Sequence, residues 1–207
     1  MEVKVLKLFP QAVMFMHMDR ELTREEIYFF LKEEKKTSEN MGNLSTTDVD
    51  LLRLPEMTEV RKFIQNALDM YFLHVFQPKN PSNARLTLTQ SWLNFTRPGE
   101  HHHLHTHPNS VISGCLYVSA DKSVDKISFQ KRDIPVYQIE TENFNEFNIL
   151  EMGIPVETGD LILFPSNMQH RVPTTTGKHT RISLSFNSFF RGKIGNVDSD
   201  HVNYLEV

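Results

Sequence analysis

The chain has 207 residues, of which 39% are hydrophobic and 23% are charged, so it is long and apolar enough to form one domain with an ordinary core. A net charge of −4 argues against a dedicated nucleic-acid binder, and the single cysteine, Cys115, excludes an intramolecular disulfide. No apolar run reaches the roughly 20 residues that span a membrane, and the N-terminus lacks a signal-peptide core. We therefore expect a cytoplasmic protein without a membrane or nucleic-acid partner.

The N-terminal third has helical patterns. Residues Thr23–Lys36 begin with a Ser/Thr-x-x-Glu capping box, formed by Thr23 and Glu26, which predicts the start of a helix. The apolar residues that this helix is expected to bury on one face are Ile27, Phe30 and Leu31.

A second helix is predicted to begin near Pro55–Thr58 and to continue to Val75, because its apolar residues recur every three or four positions. They are Val60, Phe63, Ile64, Leu68, Tyr71, Phe72 and Val75. Between the helices, Thr37–Asp50 contains Ser, Thr, Asn and Gly, a composition that is typical of a loop. It is either a plain surface loop or a lid over a site.

From Arg85 the sequence changes to short runs of β-formers divided by Pro, Gly and Asn, which indicates a mainly β sandwich, jelly roll or barrel. The predicted strands are Arg85–Thr96, Val111–Ala120, Lys126–Gln130, Phe147–Met152, Asp160–Phe164 and Arg181–Phe189. We expect one domain over 1–207. It comprises a helical flank (1–84) that buttresses a β core (85–190) and a C-terminal extension (191–207).

The last predicted strand alternates strictly between apolar and polar residues. Ile182, Leu184 and Phe186 point to one face, as a strand packed against helices or another sheet requires. Arg181, Ser183, Ser185 and Asn187 point to the other face. That second face is either plainly half-solvated or, inside a small barrel, a receptor for an anion.

Histidine is clustered in this chain. Five of the ten histidines lie between His101 and His107, and His105-Thr106-His107 forms a His-x-His pair. A third histidine, His170, follows an apolar strand, and three histidines from two segments can hold one face of a metal ion. A histidine run in a loop is alternatively a solvated segment with nonspecific metal affinity, and we expect this of His101–His103.

The order of these parts resembles the 2-oxoglutarate- and Fe(II)-dependent oxygenases, and more narrowly a family of such oxygenases from bacteria and phages. The matching segments are Ser91–Asn94, His105–Ser110, Ser113–Tyr117, Gly159–Pro165, His170–Val172 and Arg181–Asn187. The resemblance implies a double-stranded β-helix, the jelly-roll or cupin-like fold, with N-terminal buttressing helices. It also implies a cytoplasmic location, which is the host cytoplasm if the gene is carried by a phage.

The resemblance assigns a role to each matching residue. His105, His107 and His170 would hold Fe(II). Arg181, eleven positions after the last histidine, would pair with the distal carboxylate of 2-oxoglutarate, and Ser183 would donate a further hydrogen bond to it. Catalysis would then depend on these three histidines and on Arg181.

Two further residues, Asn94 and Tyr117, would line the co-substrate pocket, although both also fit as packed strand residues. One departure stands out: the broader superfamily has Asp or Glu where this chain has His107. Glu100 is an alternative carboxylate ligand, but its spacing does not single it out.

The activity implied is hydroxylation of a prime substrate, with O2 consumed and succinate and CO2 released. A three-histidine cupin-like dioxygenase or isomerase is an alternative, although it would not need Arg181 and Ser183 at their offset. A non-catalytic metal-binding structural module is another.

The prime substrate is not encoded legibly. Specificity in such enzymes lies in loops, here 37–50 and 131–148. The extension 191–207 either wraps the domain or forms homodimer contacts, and the sequence leaves both open.

Overall fold

The computed structural model describes residues 1–132, 136–137, 139–195 and 204–207. The N-terminal part contains two α-helices and three short strands. They are β1 (Met14–His17), α1 (Arg24–Glu33), β2 (Thr37–Glu39), β3 (Leu44–Thr46) and α2 (Thr58–Tyr71). Short 3-10 helices at Glu34–Lys36, Leu51–Arg53 and Pro55–Met57, and a π-helical turn at Phe72–Phe76, extend or connect them.

The rest of the chain is β-structure. Its strands are β4 (Ala84–Thr96), β5 (His102–His105), β6 (Ile112–Ser119), β7 (Lys126–Gln130), β8 (Glu151–Pro155), β9 (Asp160–Pro165), β10 (Gln169–Val172), β11 (Arg181–Ile194) and β12 (Leu205–Glu206). Among the described residues they form two antiparallel sheets. The large sheet has the order β1-β9-β6-β11-β4-β3-β2, with β12 paired to β11, and the small sheet has the order β5-β10-β7-β8.

The outer face of the large sheet packs against the helices. Ile182, Leu184 and Phe186 of β11 lie in one apolar cluster with α2, as the alternation predicts. The buried residues of α2 are Val60, Ile64, Ala67, Leu68 and Tyr71. Burial of a large apolar side chain stabilises the folded state by about 1.5–3 kcal/mol. The packing of α2 therefore holds the outer face of the large sheet in place.

The inner face of the large sheet meets the small sheet. Cys115, Tyr117, Ile162 and Phe164 of the large sheet pack with residues of β7, mainly Phe129. The polar face of β11 lies on this inner side, because Ser183 pairs with Tyr117 across β6 and Ser185 pairs with Cys115. The prediction of a mainly β protein with buttressing helices is confirmed.

The first helix begins as predicted but buries a different face. Thr23 Oγ1 accepts a hydrogen bond from Glu26 N (3.2 Å), and the Glu26 carboxylate accepts one from Thr23 N (2.8 Å). The predicted Ile27 and Leu31 are 41% and 52% exposed. The buried residues are Glu26, Phe29, Phe30 and Glu33. Two of them are glutamates held by Arg20 and Lys36, so the apolar pattern alone misplaces this face.

The predicted loop 37–50 contains the β2–β3 hairpin, and β3 pairs with β4, which extends the large sheet. The predicted helical flank also contributes β1, which pairs with β9. The strand expected at Phe147–Met152 lies later, as β8, because pairing with β7 matches Lys126 to Pro155. Strands β5 and β10 escaped prediction since they are short and rich in histidine and other polar residues.

Parts of two predicted segments lie outside the described residues: positions 133–135 and 138 of the loop 131–148, and positions 196–203 of the C-terminal extension. The described end of that extension pairs Leu205 with Ile194 of β11. Homodimer contacts and the cytoplasmic location stay predictions. No described helix has the length and apolar character needed to cross a membrane.

Candidate active site

The structure brings the three predicted histidines together. His105 ends β5, His107 follows two residues later, and His170 lies in β10. Strands β5 and β10 are antiparallel neighbours in the small sheet, and their register places His170 directly opposite His105. Sheet pairing therefore joins two histidines that are 65 positions apart in the sequence.

The hydrogen bonds of these rings determine where their lone pairs point. His105 Nδ1 donates to the His103 carbonyl (2.8 Å), and His170 Nδ1 donates to the Met168 carbonyl (3.0 Å). Carbonyl oxygens only accept, so both protons must be on Nδ1 and each Nε2 carries a lone pair. His107 Nδ1 makes the same kind of contact with Asn187 Oδ1, at 2.6 Å.

A metal ion fits this arrangement. The ligand nitrogens of His105, His107 and His170 lie within 4.8 Å of one another, and Nε2 of His105 is 3.1 Å from Nε2 of His107. Two nitrogens that bind one ion at right angles, about 2.1 Å from it, are about 3 Å apart. The three nitrogens are therefore close enough together to bind one divalent cation.

Burial keeps the imidazoles neutral. It lowers the pKa of His105 to about 4 and that of His170 to about 3, and neighbouring histidines lower both further. Burial also lowers the pKa of His107. Aromatic rings form the surrounding shell: the centroid of Phe164 lies 4.6 Å from that of His170, and the Trp92 centroid lies 5.6 Å from that of His107. Near neutral pH all three rings are available to a metal.

The expectation that His101–His103 are surface residues is wrong for two of them. His101 is exposed, but His102 and His103 lie in β5 and are partly buried. The His102 ring stacks on that of His105 at 4.5 Å, and its Nε2 lies 3.2 Å from Asn40 Nδ2. Because β5 continues through these residues, they line the site.

These neighbours create a second, overlapping group of ligand nitrogens, formed by His102, His103 and His105. The alternative carboxylate, Glu100, is turned away from both groups, since its Oε2 accepts a hydrogen bond from the Arg97 backbone N at 2.8 Å. Among the described residues, no carboxylate belongs to either cluster.

Arg181 is a buried cation on the inner face of β11, with 2% of its surface exposed. Within the described part of the chain no carboxylate pairs with it, and its Nε has no hydrogen-bond partner. The guanidinium carbon lies 5.0 Å from the centroid of the Tyr117 ring. An uncompensated buried charge is costly, so this position fits an anionic ligand.

The other predicted pocket residues surround Arg181. Asn94, Ser183 and Tyr117 are paired across β4, β11 and β6, so their side chains share the inner face. Asn94 Nδ2 donates to Ser185 Oγ (2.9 Å), while Asn94 Oδ1 and the Tyr117 hydroxyl are buried and have no hydrogen-bond partner in the described part of the chain. The Arg181 guanidinium lies over the Tyr117 ring, and it forms no hydrogen bond of acceptable geometry with the Tyr117 hydroxyl. Several buried polar atoms around Arg181 therefore lack a hydrogen-bond partner among the described residues.

Two residues of the site have no role assigned to them from the sequence. Trp92, on β4, and Asn187, on β11, both contact the His107 ring. The alternation of β11 places Asn187 on the same face as Arg181, which is the signal that could have identified it. The contact itself depends on the path of the chain after β5, which no local pattern encodes.

Comparison with known proteins finds a family model that matches part of the chain. Residues 90–187, nearly half of the sequence, match the family model described as "putative 2OG-Fe(II) oxygenase". This segment contains every predicted site residue, from Asn94 to Ser183. A search of curated proteins finds no match.

Solved structures share the fold at low sequence identity. An oxidoreductase of the 2OG-Fe(II) oxygenase family from Burkholderia pseudomallei aligns with a TM-score of 0.57 and 11% identity, over 85% of this chain and 83% of that one. HygX from Streptomyces hygroscopicus, crystallised with nickel, 2-oxoglutarate and hygromycin B, has a TM-score of 0.57 and 12% identity, over 86% and 82%. A Pseudomonas putida prolyl-4-hydroxylase has a TM-score of 0.53 and 11% identity, over 86% and 92%.

These likenesses confirm the predicted double-stranded β-helix. The family match is independent of them and rests on the sequence. Residues 90–187 therefore resemble the 2OG-Fe(II) oxygenase family in sequence, and most of the chain resembles solved members of that family in fold.

Proposed function

We propose that this protein is an Fe(II)- and 2-oxoglutarate-dependent oxygenase that hydroxylates a prime substrate and releases succinate and CO2. His105, His107 and His170 would hold Fe(II), and Arg181 would hold the co-substrate. One observation carries the proposal: three converging imidazole nitrogens line the same cavity as a buried, unpaired guanidinium.

When bound, Fe(II) and 2-oxoglutarate supply oxidative decarboxylation of the co-substrate, coupled to oxidation of the prime substrate by O2. The protein supplies three neutral ligands, which leave the full charge of the metal uncompensated. A dianionic co-substrate would balance that charge, so the absence of a carboxylate from the ligand set favours tight coupling between metal and co-substrate binding.

Arg181 would bind the distal carboxylate through its planar fork, and Ser183, two residues further along β11, would add a hydrogen bond. The unpartnered Tyr117 hydroxyl and the Asn94 amide oxygen lie in the same region. We assign them to lining the pocket, where Tyr117 packs against the guanidinium.

The cavity between the histidines and Arg181 measures about 20 Å³, which is room for about one water molecule. A five-carbon dicarboxylate therefore requires side chains to move. His102 lines this cavity without serving as a ligand or a carboxylate partner in the proposal.

The prime substrate would approach from a second, open cleft of about 380 Å³ on the other side of the histidines. Among the described residues, its wall combines the Trp92 ring with amide and hydroxyl groups, including Asn40 and Gln90, and contains no carboxylate, lysine or arginine. Burying a substrate charge against it would leave that charge unpaired. We propose that the part of the prime substrate next to the metal is uncharged.

The test is anaerobic addition of Fe(II) and 2-oxoglutarate, followed by visible absorption spectroscopy. We expect the metal-to-ligand band of the chelated co-substrate with the native protein and its loss with Arg181→Ala. Arg97→Ala, which alters an exposed arginine paired with Glu34, is the control and should keep the band. The co-substrate assignment fails if the native protein gives no band, or if Arg181→Ala gives an equal one.

The all-histidine ligand set favours a second candidate, a cupin-like dioxygenase or isomerase that does not use 2-oxoglutarate. It predicts Fe(II) binding without the band, and an affinity for metal that 2-oxoglutarate leaves unchanged. A non-catalytic metal-binding module would behave in the same way but would show no turnover of any substrate.

A further inference from the structure

Asn187 is a buried amide on the inner face of β11, 8% exposed, and it contacts one of the proposed ligands directly. Its Oδ1 accepts from His107 Nδ1 at 2.6 Å and from Ser113 Oγ at 2.8 Å. The amide oxygen therefore takes two donors, one from the metal cluster and one from the protein interior.

A serine cluster supports this contact from behind. Ser113 Oγ lies 2.7 Å from Ser166 Oγ, which lies 2.7 Å from Ser110 Oγ. The backbone N of His107 donates to the Ser166 carbonyl at 2.9 Å. Both the ring and the main chain of His107 are thus tied to one network, which restrains the position and rotation of the imidazole.

The orientation of the Asn187 amide decides which nitrogen of His107 carries the proton. A neutral imidazole has one N–H, and an oxygen facing Nδ1 places that proton on Nδ1. If the amide turned over, its NH2 group would face Nδ1 and the proton would move to Nε2. That nitrogen lies 3.1 Å from His105 Nε2, and a proton there would block metal binding.

The other two histidines do not depend on a side chain in this way. His105 and His170 donate to backbone carbonyls, those of His103 in β5 and of Met168 just before β10, and a backbone carbonyl cannot exchange its oxygen for an NH2 group by turning over. His107 also stands where the resemblance places a carboxylate, and a carboxylate has no tautomer to select. An imidazole in that position needs an acceptor behind it.

We infer that Asn187 is a positioning residue that makes His107 a competent third ligand by holding its proton on Nδ1. The inference rests on the proposed function, because it presupposes that His107 binds the metal. It goes further than the proposed function because it makes metal binding by the three histidines depend on one side chain, Asn187. That side chain is held by Ser113, which is in turn held by Ser166.

The test compares Asn187→Leu, which removes the acceptor, with Asn187→Asp, which keeps one. Nitrogen NMR of the metal-free protein, with His107 identified by its loss in His107→Gln, reports the tautomer. Calorimetric titration with Co(II) reports metal affinity. We expect Asn187→Leu to lose the Nδ1–H form and to bind Co(II) about 10- to 100-fold more weakly, as is typical when the partner of a ligating histidine is removed.

Asn187→Asp should keep the Nδ1–H form and restore affinity to that of the native protein or better. Ser188→Ala is the matched control, because Ser188 is buried beside Asn187 and bonds only to the Ile112 carbonyl through its hydroxyl. It should change neither readout. If Asn187→Leu does not fold, Ser113→Ala provides the test. It should cause a smaller loss of the Nδ1–H form of His107 and of Co(II) affinity.

The inference is overturned if Asn187→Leu keeps the native tautomer and affinity, or if Ser188→Ala weakens Co(II) binding as much. A native protein that does not bind Co(II) would refute the proposed function instead. The tautomer measurement would still decide whether Asn187 holds the proton of His107.

Discussion

The ring of Trp92 lies 5.6 Å from the ring of His107, with an angle of 48° between their planes. Trp92 is the only tryptophan in the chain, so the intrinsic tryptophan fluorescence of the protein originates beside the candidate metal centre. It also borders the cleft assigned to the prime substrate. One spectroscopic signal therefore reports on both sites.

Co(II) or Ni(II) should quench the Trp92 emission on binding, because an open-shell ion held by His107 would lie close to the indole. The measurement is a fluorescence titration of the metal-free protein, with Zn(II) as the closed-shell comparison. Zn(II) should occupy the site and compete with Co(II) while quenching much less. If the metal quenches the emission of the His107→Ala variant as strongly as that of the native protein, the quenching ion is not bound at this centre.

The two overlapping histidine groups are alternative ligand sets for a metal ion, and single substitutions distinguish between them. His170→Ala should abolish stoichiometric metal binding, because it removes a nitrogen from the proposed set. His102→Ala should leave binding intact, although it removes a ring stacked on His105. Equilibrium dialysis with metal analysis gives the stoichiometry of each variant.

His103→Ala serves as a second control, since His103 Nδ1 is buried without a partner and belongs only to the alternative group. If His102→Ala and His103→Ala abolish binding while His170→Ala does not, the metal belongs to the alternative group. Equal partial losses in all three variants would describe a diffuse chelating surface.

Two signals in the sequence predict the main parts of the candidate site: the family resemblance assigns roles to the three histidines and Arg181, and strand alternation places Arg181 on the polar face of β11. A period of two places Arg181 and Ser183 on one face of β11, and the structure puts that face inside the sandwich. The capping box of Thr23 likewise fixes the start of α1 through contacts only three residues apart. Local rules suffice where the contacts are local.

Long-range pairing accounts for what the sequence does not predict. The involvement of His102 follows from β5 pairing with β10, and neither strand has enough apolar residues to be recognised. The face of α1 is displaced because Glu26 and Glu33 are buried with partners, which hydrophobic periodicity cannot anticipate. The same applies to Asn187, which meets His107 across 80 positions.

Tyr117→Phe should stabilise the ligand-free protein and weaken 2-oxoglutarate binding. The Tyr117 hydroxyl is fully buried and has no hydrogen-bond partner, and burial raises its pKa strongly, so it is a neutral, unsatisfied group. Its removal should increase the free energy of unfolding by about 1 kcal/mol, because an unpaired buried polar group costs about 1–3 kcal/mol. Denaturant unfolding without ligand, and calorimetry with Co(II) and 2-oxoglutarate, measure the two effects. A loss of stability without a change in affinity would assign the hydroxyl to packing.

The ion pair between the buried Glu26 and the exposed Arg20 should make stability depend on pH at the acidic end. Burial opposes ionisation of Glu26, but hydrogen bonds from Arg20 (2.6 and 2.8 Å) and from Thr23 N outweigh it, so the net pKa is lowered. Because the pKa of Glu26 is lower in the folded state than in the unfolded state, its ionised carboxylate stabilises the fold at pH values above the unfolded-state pKa. This contribution disappears as the pH falls through the folded-state pKa.

Glu26→Gln should therefore lower the free energy of unfolding by about 1–3 kcal/mol at neutral pH, as expected for a hydrogen bond to a charged group. The difference from the native protein should shrink as the pH falls below the usual glutamate range. Urea unfolding at a series of pH values measures both. Glu59→Gln, which alters an exposed pair with Lys62, is the control and should cost less than about 1 kcal/mol at any pH. A Glu26→Gln difference that stays constant with pH would mean that its carboxylate contributes through shape alone, and that Arg20 stabilises α1 without a charge partner.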